Sequence, residues 1–555
     1  MNLIECVPNF SEGASKEVID KITQEISSVE GVSLLDVDAG KDTNRTVVTF
    51  IGNPEAVIEA AFKSIKMASQ LIDMTKHKGE HPRMGATDVC PLIPVSGVSM
   101  KDCISLSKKL ARRVGEELLI PVYLYEESSD ISYRTNLSDI RKGEYESLED
   151  KLKEKEWKPD YGPLQINRRS GATAIGARNF LVAYNINLNT RDKKIASDIA
   201  LDIREAGRAK RDRNGKILRK KDGSMIKVPG TLKSTKAVGW YIDEYNKAQV
   251  SMNLTNYKVT SIEAAFEEVR KQANKRGVRV TGSEIVGLVP KESLLNAGIY
   301  YLRKQKRSTA IPDTDIIDIA IDSLGLNEIS EFNQDSSIVE NRIISFDRLI
   351  DLKINTFSNE VSSESPAPGG GSVSALAGAL SSSLVSMVAN LSFGKKEYEK
   401  NIDLIEKIGI DGQKIKDNLL QLVDADTKAF DEIMRAFRMK KKTPEDIKSR
   451  KEQIQLATMH AINIPLSTME YSLTALSLSK KIMKIGNKNS ISDAGVAAEL
   501  SAAAINGAYM NVLINLKDIN NNEYRSKILK QTEKIIIRSK KELEVSRVFI
   551  YKNIK

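Results

Sequence analysis

The pattern of apolar residues changes once along this chain, and that change limits the folds available to it. Beyond residue 347 the signals typical of strands disappear, and apolar residues recur with the period of α-helices over unusually long segments. Helices of this length bury their apolar faces most readily against one another, so residues 348–555 are predicted to form an all-α helical bundle domain. The predicted helices are Gly371–Phe393, Glu397–Met439, Pro444–Ile485, Ser492–Leu516 and Asn522–Tyr551.

Short apolar runs alternate with amphipathic stretches in the first half, which is typical of α/β proteins. The pattern starts afresh after a loop-like segment, with a strand at Phe180–Asn187 and a helix from Ile195. Two α/β subdomains, 1–179 and 180–326, are therefore predicted, with mixed or antiparallel sheets covered by helices. Residues 327–347 are polar, acidic and aperiodic, and are predicted to be a linker. In the first subdomain, strands are predicted at Val32–Val37, Thr46–Ile51 and Leu118–Tyr125, and helices at Lys16–Ser27, Pro54–Met74 and Met100–Glu117.

Cysteine content and the N-terminal sequence indicate a cytoplasmic protein. Three cysteines cannot all pair within one chain, and none has the CxxC spacing of a zinc site. The first ten residues lack the basic and apolar regions of a secretory signal.

Pro366–Gly394 is uncharged and exceeds the roughly 20 residues that span a bilayer. Its many serines and small residues favour packing inside a protein over contact with lipid.

Two of the three histidines, His77 and His81, lie in the segment KHKGEHPRMGATDVCP. Their spacing suits a zinc-binding helix, but Gly79 and Pro82 argue against a helix here, and no third ligand is nearby, so no metal is predicted. A histidine can take and return a proton near neutral pH, so acid–base catalysis is one interpretation and a structural pair is the other. The third histidine, His460, lies within a long predicted helix and is interpreted as structural.

The segment LLDVDAGKDTNRT contains candidate partners for such a histidine. Asp38 and Asp42 follow a predicted strand, where functional groups often lie, although turn formation or helix capping explains them equally well. Arg45 and Arg83 could bind a carboxylate in a bidentate manner, or could simply be solvated.

Two features of the second half indicate a site. Gly369, Gly370 and Gly371 precede a predicted helix, where backbone N–H groups can approach a ligand, although a flexible linker explains them as well. Asp426 falls on an apolar stripe of its predicted helix, whereas Asp424 lies about 200° away on a mostly polar face. Burial would raise the pKa of Asp426 toward the range useful for proton transfer, unless the carboxylate is only a structural partner of a neighbouring helix end. The stripe consists of Ile415, Leu419, Val423, Phe430 and Phe437.

Several motifs of the first half resemble the formimidoyltransferase half of the formimidoyltransferase-cyclodeaminase family: CVPNFSEG, TNRTV, KHKGEHPRMGATDVCPLIPV, PVYLYEES, GATAIGARNFLVAYNINL and VGWYIDEYNKAQVSMNL. The resemblance implies transfer of a formimino group from N-formimino-L-glutamate to N5 of tetrahydrofolate. It also implies that His81 is the catalytic acid–base, with Asp38 as its hypothetical partner. The family's folate-contacting stretch maps onto Gly162, Pro163, Leu164, Gln165, Ile166, Asn167, Arg168, Arg169, Ser170 and Gly171.

The second half is similar to the cyclodeaminase half of the same family through SPAPGGGSVSALAGAL, LVDADTKAF, ISDAGVAAEL and GAYMNVLINLKDI. This similarity implies cyclisation of 5-formiminotetrahydrofolate to 5,10-methenyltetrahydrofolate with release of ammonia. It assigns the catalytic aspartate to Asp426, the residue that helical spacing also indicates. The glycine loop and Asp493 are pocket candidates, and Asp493 is equally explained as a first-turn helix acid.

The family resemblance further implies a ring-like homo-oligomer in histidine degradation that passes polyglutamylated folate between its domains. The alternatives are a chain with one working half, a folate-binding scaffold, and a basic nucleic-acid-binding protein. The net charge of +10 raises the last of these, but residues 204–236 carry +9 of it, and aromatic residues are only 5%. That insertion, with possible hairpin turns at Asn214-Gly215 and Asp222-Gly223, could attract the anionic tail of folate or remain a solvated loop. No nucleic acid or membrane partner is predicted.

Overall fold

A computed structural model of the chain describes residues 2–40, 44–79, 82–243, 245–342 and 348–554. These residues group into two compact units. The first comprises Met1–Leu294 and Leu324–Ile344, and the second comprises Leu295–Ser323 and Ser345–Lys555.

A mixed seven-stranded sheet lies at the centre of the N-terminal part of the first unit. Its strands run in the order β3, β4, β1 with β2, β5, β7 and β6, and only the β5–β7 and β7–β6 pairs are parallel. The strands are β1 (Leu3–Cys6), β2 (Asn9–Phe10), β3 (Val32–Gly40), β4 (Arg45–Gly52), β5 (Thr87–Ser96), β6 (Val122–Glu126) and β7 (Thr173–Ala177).

The three long helices cover one face of this sheet and begin where their caps indicate, and two short helices pack on the opposite face of its parallel strands. Ser15 accepts a hydrogen bond from the Val18 N–H, and Ser99 forms a capping box with Asp102. The helices are α1 (Lys16–Ser27), α2 (Pro54–Leu71), α3 (Met100–Glu117), α4 (Leu137–Ile140) and α5 (Leu148–Lys151). The predicted bounds of α1 and α3 are confirmed, because their apolar periodicity agrees with their capping residues.

The rest of the first unit contains a four-stranded antiparallel sheet in the order β11, β12, β8, β13. Helix α6 packs tightly on this sheet: a Cβ atom at Gly239 would lie 2.1 Å from the Ser197 backbone nitrogen. The elements are β8 (Val182–Leu188), α6 (Lys193–Ile203), β9 (Arg208–Ala209), β10 (Lys227–Val228), β11 (Thr235–Ile242), β12 (Lys247–Leu254), α7 (Ile262–Lys275) and β13 (Val280–Val286).

Between β9 and β10 the chain forms an arm, residues 210–226, that contains two turns of similar geometry. The Arg211 guanidinium donates to the Gly215 carbonyl (2.6 Å), and eight residues later Arg219 donates to the Gly223 carbonyl (2.8 Å). Antiparallel bridges flank each turn, so the predicted hairpin turns are confirmed.

The second unit is helical, and the α/β and all-α fold classes are therefore confirmed. The described part of the predicted linker, residues 327–342, belongs to the first unit and is less linker-like than predicted: Ile338 and Val339 are fully buried, and Ile338 pairs with Val289. The helices are α8 (Lys291–Lys304), α9 (Asp313–Leu324), α10 (Gln334–Ser337), α11 (Val339–Arg342), α12 (Ile354–Val361), α13 (Gly370–Ser392), α14 (Ile402–Arg438), α15 (Pro444–Ile485), α16 (Ile491–Leu516) and α17 (Asn522–Ile554).

Helix α13 is a core helix of the bundle. Among the described residues it is the one helix long and apolar enough to cross a membrane, but 61% of its most apolar window is buried. Its serines satisfy their hydroxyls within the bundle: Ser381 donates to the Ala497 carbonyl of α16, and Ser386 donates to the Gly409 carbonyl of α14. Small side chains thus let α14 and α16 approach α13 closely, as the sequence indicates.

Candidate active sites

The carboxylate of Asp426 lies against the N-terminus of helix α13. The Ser372 backbone N–H donates to Asp426 Oδ2 (2.9 Å). The Ser372 hydroxyl lies 3.3 Å from the same oxygen but 2.9 Å from the Val423 carbonyl, to which its single proton is better placed to donate. A Cβ atom at Gly371 would lie 2.1 Å from Asp426 Oδ1, so glycine is required for this approach.

Two opposing effects act on the Asp426 carboxyl. Burial raises its pKa above the ordinary value of 3.8, and the hydrogen bonds from Ser372 lower it, with burial dominating. A carboxyl in this state can both accept and return a proton closer to neutral pH than an exposed aspartate can.

The predicted glycine loop and Asp426 come together at this site, and a residue that was not predicted joins them. Gly369 caps α13, and a Cβ atom at Gly370 would lie 3.5 Å from the Asn511 side-chain nitrogen on α16. Asn511 lies within the motif GAYMNVLINLKDI, but nothing in its spacing marks it as functional.

Asp424 corrects one part of the sequence interpretation. It was placed on a polar face of its helix, yet it is only 9% exposed, and its Oδ1 accepts the Leu349 N–H (2.6 Å). The short 3₁₀ helix Leu349–Asp351 covers this face of α14. At the other end of the predicted stripe, Phe437 is 49% exposed, so the stripe does not extend that far into the core.

Asp493 does not lie near Asp426 within the chain, in contrast to the prediction of a shared pocket. Helices α13 and α16 are antiparallel: Ser381 contacts Ser501, and Ser374 lies beside Gly507. Asp493 is on the first turn of α16, so about 27 Å of helix separates it from Asn511. Its interpretation as a first-turn helix acid fits this position.

In the first unit, His81 and Asp42 lie outside the described residues, but the residues flanking His81 are described. His77 Nε2 lies 3.0 Å from the Asn44 carbonyl oxygen, and Arg83 donates Nε–H to His77 Nδ1 (3.2 Å). Arg83 is buried and pairs with both Glu144 (2.8 Å) and Glu146 (2.7 Å). These ion pairs raise the pKa of Arg83. The proposed role of Arg83 in binding a substrate carboxylate is therefore not supported, because carboxylates of the chain already occupy it.

Asp38 and Arg45 lie on neighbouring strands. Strand β3 extends to Gly40, so Asp38 is an exposed strand residue opposite Val47 and does not lie in a loop as predicted. Arg45 donates to Asn9 Oδ1, while its buried Nε has no acceptor among the described residues. Burial lowers the pKa of Arg45, the nearby Arg141 lowers it further, and the charges of Asp88 and Asp38 oppose this shift.

The predicted folate segment, Gly162–Gly171, packs beside the chain that follows His81. The Ala86 N–H donates to the Ser170 carbonyl (2.8 Å), and the Met74 N–H donates to the Arg169 carbonyl (2.9 Å). Gly171 has φ +68°, and a Cβ atom there would lie 2.1 Å from the Met84 carbonyl oxygen. Leu164 and Arg168 are exposed, Ile166 packs partly against the core, and Gly162 packs against α3. The fold thus places this segment beside the start of β5, the strand that follows His81 in the chain.

A cavity of about 550 Å³ lies between the two sheets of the first unit. Asn9, the partner of Arg45, lines it from β2, and Lys236 lines it from β11. Arg141 and Arg178 also line it, together with Glu126, whose pKa burial raises. A polar cavity with several cations can bind a small dicarboxylate. Asn9 and Arg178 lie in quoted motifs, CVPNFSEG and GATAIGARNFLVAYNINL, although neither was singled out, and no sequence signal indicated Arg141.

Comparison with known proteins assigns both halves of the chain. Residues 3–178 match the formiminotransferase domain, N-terminal subdomain; residues 183–344 match the formiminotransferase domain; and residues 353–534 match the formiminotransferase-cyclodeaminase model.

Relatives cover the whole chain and each half. Formimidoyltransferase-cyclodeaminase of Rattus norvegicus is 42% identical over 528 residues, 95% of this chain and 94% of that protein. Glutamate formimidoyltransferase of Streptococcus pyogenes is 42% identical over 54% of this chain and 93% of that protein. Methenyltetrahydrofolate cyclohydrolase of Methylorubrum extorquens is 33% identical over 33% of this chain and 88% of that protein. Because full-length relatives and all three family models match, the chain belongs to the formimidoyltransferase-cyclodeaminase family.

Proposed function

We propose that His81 and Asp426 are the proton-transfer groups of the two reactions that this bifunctional enzyme catalyses. The chain is a glutamate formimidoyltransferase and a formimidoyltetrahydrofolate cyclodeaminase, and histidine degradation is the role of its family. The observation that carries the proposal is the half-buried Asp426 carboxyl that accepts a backbone N–H at the glycine-rich start of α13.

In the cyclodeaminase reaction, N10 of 5-formiminotetrahydrofolate attacks the formimino carbon and a C–N10 bond forms. The formimino group reacts as its amidinium form, whose nitrogen already carries two hydrogens. Asp426 accepts the proton that N10 loses and delivers it to this nitrogen, which then carries three. The bond from carbon to that nitrogen then breaks, ammonia leaves, and the methenyl bridge between N5 and N10 remains. Burial raises the pKa of Asp426, which makes its carboxylate a stronger base toward N10 than an exposed aspartate would be.

In the transferase reaction, N5 of tetrahydrofolate attacks the formimino carbon of N-formimino-L-glutamate. His81 accepts the N5 proton and returns a proton to the glutamate nitrogen, whose bond to carbon then breaks. The cavity lined by Arg178 and Lys236 is the proposed site for glutamate, and the segment Gly162–Gly171 is the proposed site for folate. Arg45, with its unpartnered buried Nε, is a second candidate for the glutamate carboxylates.

One assay tests the proposed pair of reactions. Purified protein is mixed with N-formimino-L-glutamate and tetrahydrofolate, and glutamate, ammonia and methenyl absorbance are followed together. The three products are expected in equal amounts. Glutamate and ammonia without accumulating methenyl absorbance would indicate that the second half goes on to hydrolyse the methenyl group, as the name of the Methylorubrum relative implies for that protein. Glutamate alone would indicate that only the transferase works.

The proposal includes a polyglutamylated folate as the physiological co-substrate. The basic arm, residues 210–226, is exposed over most of its length, and it joins the fold at Gly207 and Val228, near the cavity residues Glu205 and Ser234. An anionic tail that leaves this cavity would meet a positive potential.

Shortening the arm tests this idea. Replacing residues 210–226 by Asn-Gly keeps the β9–β10 pairing, and it is expected to raise the KM for polyglutamylated tetrahydrofolate several-fold at low salt with kcat unchanged. The effect should fade at high ionic strength, and the monoglutamate substrate serves as the control. An unchanged KM at low ionic strength would refute steering by the arm.

We further propose that the enzyme is a homo-oligomer in which α13 and α16 contact a second copy of the chain. Helix α13 carries no charged residue, and its exposed apolar side chains recur at spacings of seven and four residues, which places them on one face. They are Val373, Leu380, Met387 and Leu391, and the neighbouring α16 exposes Val496, Met510 and Ile514. A contiguous apolar surface of this kind is typical of subunit interfaces.

Charged substitutions on this face should dissociate the assembly. Leu380→Lys with Met387→Lys is expected to shift the sedimenting species toward the 61.5 kDa monomer, while Leu456→Lys, an exposed apolar residue of α15, should not. A wild-type protein that sediments as a monomer at micromolar concentration would contradict the proposal.

A further inference from the structure

Beyond Asp426, toward the C-terminus of α14, the helix surface carries first apolar and then basic side chains. Phe430, Met434 and Arg438 continue from Asp426 at intervals of four residues, along one ridge of the helix. At 1.5 Å per residue, Arg438 lies about 18 Å beyond Asp426 along the helix axis. A cavity of about 340 Å³ opens on this ridge, lined by Pro366, Phe430, Asp431, Met434, Arg435 and Arg438.

Positive charge accumulates at the far end of this ridge, although residues 204–236 alone account for +9 of the net charge of +10. Two acidic residues, Glu445 and Asp446, lie among many basic ones, and Asp446 is engaged in the capping box of α15 with Thr443. The basic residues are Arg435, Arg438, Lys440, Lys441, Lys442, Lys448, Arg450 and Lys451. Acidic residues elsewhere in the chain cancel this charge in the total, which is why the composition did not reveal it.

The two arginines of the cavity are available to a ligand. Both are exposed, and within the described residues neither has a carboxylate within ion-pair distance. Arg435 Nε donates only to the Asp431 carbonyl of its own helix (3.4 Å). The carboxylate of Asp431 faces the same cavity and would direct an incoming anion away from itself and toward the two guanidinium groups.

We propose that Arg435 and Arg438 bind the glutamate carboxylates of the folate substrate while its pteridine lies at Asp426. This inference rests on the proposed cyclodeaminase function of Asp426 and adds a determinant of substrate specificity to it. An extended folate presents a pteridine, an aminobenzoyl ring and a glutamate in that order. The ridge presents in the same order a carboxyl group, the apolar side chains of Phe430 and Met434, and two guanidinium groups. Guanidinium groups bind carboxylates in a bidentate manner, and aromatic rings stack with other rings.

The test compares two substrates with and without the glutamate. Ammonia release is measured from 5-formiminotetrahydrofolate and from 5-formiminotetrahydropteroate, which ends at the benzoate. Arg435→Gln with Arg438→Gln is expected to raise the KM for the folate by about 10-fold or more, at a kcat within about twofold of wild type. The KM for the pteroate should change much less, because that substrate lacks the glutamate carboxylates.

A matched control removes two charges elsewhere in the same helical unit. Lys534 and Lys541 are exposed on α17, and Lys534→Gln with Lys541→Gln should leave both KM values unchanged. Activity toward the pteroate shows that the arginine variant is folded, and Arg435→Lys with Arg438→Lys should give an intermediate KM for the folate, since lysine keeps the charge without the bidentate geometry.

The outcomes separate this inference from the function on which it rests. Equal KM changes for both substrates, or no change for the folate, would overturn the role of the arginines. A failure of the Asp426 assignment would instead appear as normal ammonia release by an Asp426 variant, whatever the arginine variants do.

Discussion

Asp426→Asn is expected to lower ammonia release from 5-formiminotetrahydrofolate by about 10²- to 10⁴-fold, the range over which a positioned acid–base group contributes. The amide keeps the size of the side chain and can still accept the Ser372 N–H, but it cannot carry the proton from N10 to the departing nitrogen. The measurement is a steady-state assay of ammonia and methenyl absorbance. Formimino transfer by the same protein should remain at the wild-type rate.

Asp424→Asn is the matched control, two residues earlier on the same helix. Asp424 is also buried, and its pKa is also raised by burial, yet it bonds the Leu349 N–H and does not reach the start of α13. The Asp424 variant should therefore keep ammonia release. Equal losses of both activities in the Asp426 variant, or equal losses of ammonia release in the two variants, would indicate a structural effect.

The pH dependence of stability offers an independent check on Asp426. Because its pKa is raised in the folded state, the unfolded chain loses this proton first as pH rises above about 4, and the folded state then loses stability until the folded pKa is passed. Asparagine has no such loss. The free energy of unfolding of Asp426→Asn relative to wild type should therefore increase as pH rises above about 4, and level off once the folded-state pKa of Asp426 is passed. A difference independent of pH would show that the Asp426 carboxyl is not destabilised by burial.

What the sequence predicted well are features that depend on residues close together in the chain. Helix α15 was predicted at its observed bounds because Thr443, Pro444 and Asp446 form a local start signal before a periodic segment. Spacing to Val423 and Phe430 on one helix likewise placed Asp426 on the side of α14 that meets α13, where it is half-buried.

What the sequence did not predict depends on contacts between distant segments. Asp424 is covered by Leu349, which lies 75 residues earlier, so helical spacing alone placed it on a polar face. Arg83 is neutralised by Glu144 and Glu146, which lie 61 and 63 residues later. Helical periodicity likewise gave no sign that α16 runs antiparallel to α13, and that orientation is what separates Asp493 from Asp426.

His81→Ala is expected to have the second large effect, a loss of about 10²- to 10⁴-fold in glutamate release with ammonia release from added 5-formiminotetrahydrofolate unchanged. The physical reason is that N5 must lose a proton and the glutamate nitrogen must gain one, and alanine can do neither. The neighbouring Arg83 is anchored by two ion pairs, so loss of one side chain two residues before it should leave the local fold intact.

Two other histidine variants make this result specific. His460→Ala removes the same kind of side chain from α15, where His460 pairs with Glu432, and it should leave glutamate release unchanged. His77→Ala removes the acceptor of the Arg83 Nε–H, so it is expected to lower stability more than it lowers kcat. If His77→Ala abolished glutamate release while His81→Ala retained it, the acid–base role would belong to His77. A bell-shaped pH profile of kcat/KM that loses one limb only in His81→Ala would identify His81 as the titrating group, because each limb reports one essential protonation state of the free enzyme.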